Sequence, residues 1–97
     1  MQDRKFQLKI VSREGIVFEG EVSSITSYND KGKFDVLAQH ANFISLIKKG
    51  LSVRETQSSQ AREMSFDDAL IRVRENLVEI YLGLEGFASG SQIPVSA

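Results

Sequence analysis

Apolar and polar residues alternate along much of this chain, and the alternation has the period of a β-strand rather than of a helix. Phe6, Leu8 and Ile10 interleave with Lys5, Gln7 and Lys9, which puts one set of side chains on each face of an extended segment. Arg13-Glu14-Gly15 reads as a turn, and Ile16-Val17-Phe18 as a short apolar strand closed by Gly20. Val22, Ser24 and Thr26 then alternate with Ser23 and Ile25. Their β-branched and hydroxyl side chains predict a third strand.

Tyr28-Asn29-Asp30-Lys31-Gly32 has loop chemistry, since Asn and Asp bond their own backbone and Gly supplies positive φ. Phe34, Val36 and Leu37 resume the strand pattern, and Phe43 to Ile47 form another apolar strand that Lys48-Lys49-Gly50 ends. Leu51 and Val53 open a further strand, which gives way to the polar hairpin loop Glu55 to Gln60. Leu70 to Arg74 and Leu77 to Leu82 flank Glu75-Asn76, which predicts a tight hairpin with Asn76 near the positive-φ position. A short helix from Ser65 to Glu75, capped by Asp67 or Asp68, is the one helical rival, and the alternation from Val73 onward argues against it. Closely spaced strands without a long 3.6-period segment point to an antiparallel sandwich or barrel. The regular part ends near residue 83. Residues 84–97, with Gly86, Gly90, Ser89, Ser91 and Pro94, are expected to form a short flexible Gly/Ser-rich tail.

A chain of 97 residues, 41% hydrophobic and 26% charged, fits one compact domain, here residues 1–83. Twelve basic against thirteen acidic residues give a net charge of −1, too little positive excess for a nucleic-acid partner. The absence of cysteine excludes a disulfide framework and a thiolate metal site. No apolar stretch approaches the roughly 18 residues of a membrane span, and the start lacks the apolar run of a secretory signal. Direct membrane insertion is therefore not expected, and any membrane association would come through a partner.

Reactive constellations are scarce. His40 is the only histidine, and no G-x-S-x-G elbow accompanies it. Asp30, Asp35, Asp67 and Asp68 lack calcium-loop spacing, and neither G-x-G-x-x-G nor G-x-x-x-x-G-K-[ST] occurs. No catalytic, cofactor-binding or metal site is assigned. The six Phe and two Tyr are scattered singly as core or cross-strand residues, and Lys31, Lys33, Lys48 and Lys49 read as solvated turn or edge lysines. What remains is a small β domain that acts through contacts with other proteins.

The stretch Leu8-Lys9-Ile10-Val11-Ser12-Arg13-Glu14-Gly15-Ile16-Val17-Phe18-Glu19-Gly20-Glu21-Val22 resembles the opening of ATP synthase ε subunits. The segment from Gly32 to Gly50 is similar to that family's signature of glycine, strand, His40-Ala41, strand, glycine, and the hairpin Leu70 to Leu82 to its last sandwich strands. Ala38 and Asn42 stand where the family usually has prolines, and Asp35 where it has a second glycine. Asp68-Ala69 replaces a Gly-Gly pair, and Lys33 an acidic loop residue. These departures mark a divergent member.

The resemblance implies an antiparallel β-sandwich of two sheets and no chemistry of its own. It implies a central-stalk subunit of an F-type ATP synthase that links the γ subunit to the c-ring and couples ion translocation to ATP synthesis. By similarity Ser12, His40 and Ser45 would face γ, and the loop Asn29, Asp30, Lys31, Gly32 and Lys33 the c-ring. Such a subunit is peripheral to the membrane on its cytoplasmic face, through the complex, and monomeric in isolation. Only fifteen residues follow Leu82, so the family's C-terminal helical hairpin, credited with restraining ATP hydrolysis, is expected to be missing. The alternative is a stand-alone β-sandwich module that binds a peptide or carbohydrate.

Overall fold

The structure is a computed structural model, and it describes residues 4–38 and 42–83. Eight strands run in the order β1 (Phe6–Ser12), β2 (Gly15–Val22), β3 (Ser24–Asn29), β4 (Gly32–Leu37), β5 (Phe43–Arg54), β6 (Arg62–Met64), β7 (Asp68–Arg74) and β8 (Leu77–Leu82). Hydrogen bonding follows the path β2-β1-β8-β7-β5-β3-β4, with β6 also on β5. All pairs are antiparallel except β1 with β8, which is parallel. The β-sandwich expected from the sequence is therefore present, with one parallel pair that the strand pattern does not reveal.

The two layers share β5. Its first half, Phe43 to Lys48, pairs with β7, whereas Leu51 to Val53 pair with β6 and Lys48 to Arg54 with β3. The strand bends at Lys49 and Gly50, which hold φ of 68° and 89°. Gly50 is required there because a Cβ would lie 2.2 Å from the Met64 carbonyl oxygen of the incoming β6 strand. The buried Ser27 hydroxyl donates to the Gly50 carbonyl at 2.8 Å and ties β3 to the bend. Lys48-Lys49-Gly50 thus turns one continuous strand between layers, where the sequence suggests an end.

Period-2 alternation decides which residues fill the interior. Leu8, Ile25, Val36, Ile47, Ile71 and Ile80 are fully buried, and Phe18, Phe34, Phe43 and Leu82 pack around them. Each full burial contributes about 1.5–3 kcal/mol against the entropy of ordering the chain. Phe34 of β4 meets Phe43 of β5 edge to face, with centroids 5.9 Å apart, which helps to join the layers.

Other elements depart from the sequence pattern in detail. β2 continues through Gly20 to Val22, and the break before β3 falls at Ser23, whose hydroxyl donates to the Glu55 carbonyl. The short β6 is absent from the sequence reading, because three residues carry too little pattern. Residues 68–74 form β7 and not a helix, since Ala69, Ile71 and Val73 alternate into the core. In the β7–β8 turn the positive-φ residue is Glu75, at 50°, rather than Asn76. The turn is held from outside: the Glu75 amide donates to Asn42 Oδ1 at 2.9 Å, and the Gln7 amide to the Asn76 carbonyl at 2.8 Å. The tail expected over 84–97 lies outside the described residues.

Candidate functional site

Directly opposed residues on neighbouring strands share a face, so the register determines which outward side chains become neighbours. Leu46 opposes Leu70, Leu70 opposes Tyr81, Tyr81 opposes Val11, and Val11 opposes Ile16. An apolar row consequently crosses the outer face of the first layer from β5 to β2, about 19 Å over four strand spacings. Leu46 is 60% exposed, Ile16 57%, and Ile44 at one corner 61%. Val11, Leu70 and Tyr81 between them are half-buried, and a continuous apolar row of this kind is unusual on a solvated sheet face.

The adjacent row is charged. Ile44 opposes Arg72, Arg72 opposes Glu79, Glu79 opposes Lys9, and Lys9 opposes Glu19. Arg72 and Glu79 form an ion pair at 3.7 Å, and both are largely shielded. Partial burial raises the Tyr81 phenol above its ordinary pKa, and the Glu79 carboxylate beside it acts in the same direction. Alternating charges beside an apolar row give a docking surface register as well as affinity.

The sequence-assigned residues do not gather into one patch. Ser12 closes the β1–β2 turn: its hydroxyl accepts from the Glu14 amide at 3.2 Å and is 3.3 Å from the Gly15 carbonyl. Ser45 lies three strand spacings away, about 14 Å across the first layer, and its Oγ is 3.5 Å from Asn29 Nδ2. A residue assigned to γ thus touches one assigned to the c-ring. His40 lies outside the described residues.

The loop assigned to the c-ring is shorter than the sequence suggests. Asn29 opposes Gly32, so only Asp30 and Lys31 form the turn, while Gly32 and Lys33 already belong to β4. Asn29 Oδ1 accepts from the Lys31 amide at 2.9 Å, and Gly32 holds φ of 121°. Lys31, Gly32 and Lys33 are exposed.

On the outer face of the second layer lies a groove of about 400 Å³, lined by Thr26, Tyr28, Lys33, Lys49, Ser52, Arg54 and Glu63 among others. Among the described residues no group of three or more His, Asp or Glu is placed to hold a metal ion. No described helix is long and apolar enough to cross a membrane.

The class of protein defined here is a small β-sandwich with an apolar row, exposed at its two ends, on one layer and a polar, lysine-bearing groove on the other. Residues 5–82 match the family described as ATP synthase, Delta/Epsilon chain, beta-sandwich domain, and the chain belongs to that family. It is 36% identical over 84 residues to the ATP synthase epsilon chain of a Nitratiruptor species, covering 82% of this chain and 65% of that one. It is 30% identical to the ATP synthase epsilon chain of Campylobacter concisus, covering 90% and 67%. The chain thus spans about two thirds of the length of these relatives. A chain of the Euglena gracilis mitochondrial ATP synthase, solved as OSCP/F1/c-ring, has the same fold, with a TM-score of 0.72, 16% identity and coverage of 88% of this chain and 60% of that one. A chain of the Tetrahymena thermophila mitochondrial ATP synthase central stalk/c-ring follows at a TM-score of 0.64, with 12% identity and coverage of 84% and 65%.

The apolar row is the feature that sequence reading missed. A signal was available, because Ile10-Val11, Leu70-Ile71 and Ile80-Tyr81 break strict alternation. Paired apolar residues in a strand indicate that both of its faces are covered.

Proposed function

We propose that this chain is a non-catalytic central-stalk subunit of a rotary F-type ATP synthase, whose sandwich joins the γ subunit to the c-ring and couples ion translocation to ATP synthesis. The observation that carries the reading is the apolar row Leu46, Leu70, Tyr81, Val11 and Ile16 with its charged neighbour row, in a member of the delta/epsilon family. A rotor element needs stiffness and fixed contact surfaces more than reactive groups. The sandwich core supplies the first, and register across five strands the second.

In this reading the apolar row docks on γ, with Ser12, His40 and Ser45 at or beside that contact. The turn Asn29 to Lys33 meets the c-ring, and the chain sits at the cytoplasmic face of the membrane through the complex. Residues 1–83 form the functional sandwich and 84–97 an appended tail. Titration of the purified chain with the γ subunit of the same enzyme tests the assignment. Saturable binding that Leu46→Glu weakens at least tenfold is expected, with the unfolding midpoint unchanged. Equal affinity of parent and variant would remove the apolar row from the interface.

A further inference from the structure

We propose that the groove around Lys33, Tyr28 and Lys49, on the outer face of the second layer, receives an acidic segment of a partner protein. The inference deepens the reading that the Asn29 to Lys33 turn meets a partner, and it names the chemistry of that partner's surface.

Lys49 is the first observation. It holds φ of 68°, a conformation that strains any residue with a Cβ and that glycine adopts freely. The bend of β5 explains why the backbone is left-handed there, but it does not explain a lysine. What the lysine provides is an ammonium 5.5 Å from the centre of the Tyr28 ring. Backbone strain retained at one position is a mark of a side chain that is used.

The register supplies the second. Lys33 on β4 opposes Tyr28 on β3, and Tyr28 opposes Lys48 on β5. Two lysines therefore flank the tyrosine on the adjacent strands while Lys49 lies over its ring. Among the described residues none of these ammonium groups has a carboxylate within ion-pair distance. Lys48 has Asp68 opposite it on β7, so the groove's own cations are Lys33 and Lys49; these like charges repel one another, and an incoming anion relieves that repulsion.

The rim decides what kind of anion. Glu63 accepts from the Ser52 hydroxyl at 2.7 Å, and Asp35 from the Thr26 hydroxyl at 2.6 Å, so two carboxylates border the same surface. The Arg54 guanidinium is engaged with the Ser59 carbonyl. A bare phosphate or an anionic membrane would meet these acids along with the lysines. A polypeptide can instead set its carboxylates over Lys33 and Lys49 and its amide donors over Glu63 and Asp35. Lysine, a mobile point charge, suits such a contact without demanding the planar fork geometry of arginine.

The test is an NMR titration of the full chain with a hexaglutamate peptide at low and at high salt. Saturable shifts centred on Tyr28, Lys33 and Lys49 are expected, about tenfold weaker in Lys33→Glu/Lys49→Glu and weaker at high salt. Lys49→Gly separates use from structure: it is expected to raise the unfolding midpoint by a few degrees while lowering peptide affinity severalfold. A midpoint that falls in Lys49→Gly, or peptide shifts spread evenly over the surface, would overturn the proposal. Inorganic phosphate, or vesicles of phosphatidylglycerol and phosphatidylcholine, binding these residues more tightly than the peptide would also overturn it. Incorporation into ATP synthase is measured in parallel. Peptide binding by the parent chain without incorporation keeps the groove and removes the rotor reading, whereas normal incorporation of the parent chain without saturable peptide binding does the reverse.

Discussion

The two outer faces of the sandwich are built on the same strand and differ in chemistry at one bend. Before Lys49, the outward residues of β5 are Ile44, Leu46 and Lys48, of which Leu46 belongs to the apolar row and Ile44 stands at its corner. After Gly50 they are Ser52 and Arg54, which line the groove. A strand that stayed in one layer would present a single mixed face. By turning between layers, β5 gives a small domain two unlike surfaces at a fixed separation, which is what the proposed role between two partners needs.

The pivot is the most sensitive point of that contrast. Gly50→Ala adds a Cβ at φ 89°, 2.2 Å from the Met64 carbonyl oxygen. Backbone and not a flexible side chain must yield, so a loss of roughly 2–4 kcal/mol is expected. Thermal unfolding reads this as a midpoint lowered by 10 °C or more, since about 1 kcal/mol corresponds to 4–8 °C for a domain this size. An unchanged midpoint would mean that β6 does not approach the bend as described.

On the apolar face, Ile44→Glu/Leu46→Glu is expected to leave the fold nearly intact, because both side chains are about 60% exposed and surface changes usually stay within about 0.5 kcal/mol. Binding to γ is where it should act, with a loss of about 2 kcal/mol or more, roughly thirtyfold in affinity. Calorimetric titration distinguishes this from an unfolding effect when circular dichroism is recorded on the same samples.

The strand pattern made most of the scaffold legible. Phe6, Leu8 and Ile10, or Ile71 and Val73, alternate so regularly that face and burial follow directly. What stayed hidden depends on register between strands distant in sequence. Val11, Ile16, Leu46, Leu70 and Tyr81 come from five strands, and only their pairing makes them a row. Lys48-Lys49-Gly50 looked like the end of a strand because lysines and glycine usually punctuate. It is instead a bend, which the close approach of β6 demands, and no local pattern announces that approach. Glu75 in place of Asn76 as the left-handed residue likewise reflects an outside contact, from Asn42.

Smaller effects sharpen the comparison. Ser27→Ala removes the buried hydroxyl that donates to the Gly50 carbonyl, and leaving that acceptor unpaired is expected to cost about 1–2 kcal/mol. If the bend keeps both faces in place, γ binding should fall in Ser27→Ala no more than stability does. Tyr81 offers the finest probe. Its phenol is raised by burial and by Glu79, so the folded chain holds the proton more tightly than the unfolded one. Its contribution to stability is full below the unfolded value of about 10 and declines as pH rises above it. Tyr81→Phe should flatten that alkaline decline in denaturant unfolding, and a decline of equal steepness would show that the ring is solvated.

Because the chain contains no cysteine, single cysteines can report the partner of each face inside the assembled enzyme. Leu46→Cys and Lys33→Cys, each incorporated into native membranes and oxidised with cysteine-scanned γ and c subunits, test the division of surfaces directly. The expected result is that Leu46→Cys links to γ and Lys33→Cys to c. Linkage of both positions to the same subunit, or of neither in membranes that contain the chain, would contradict the account.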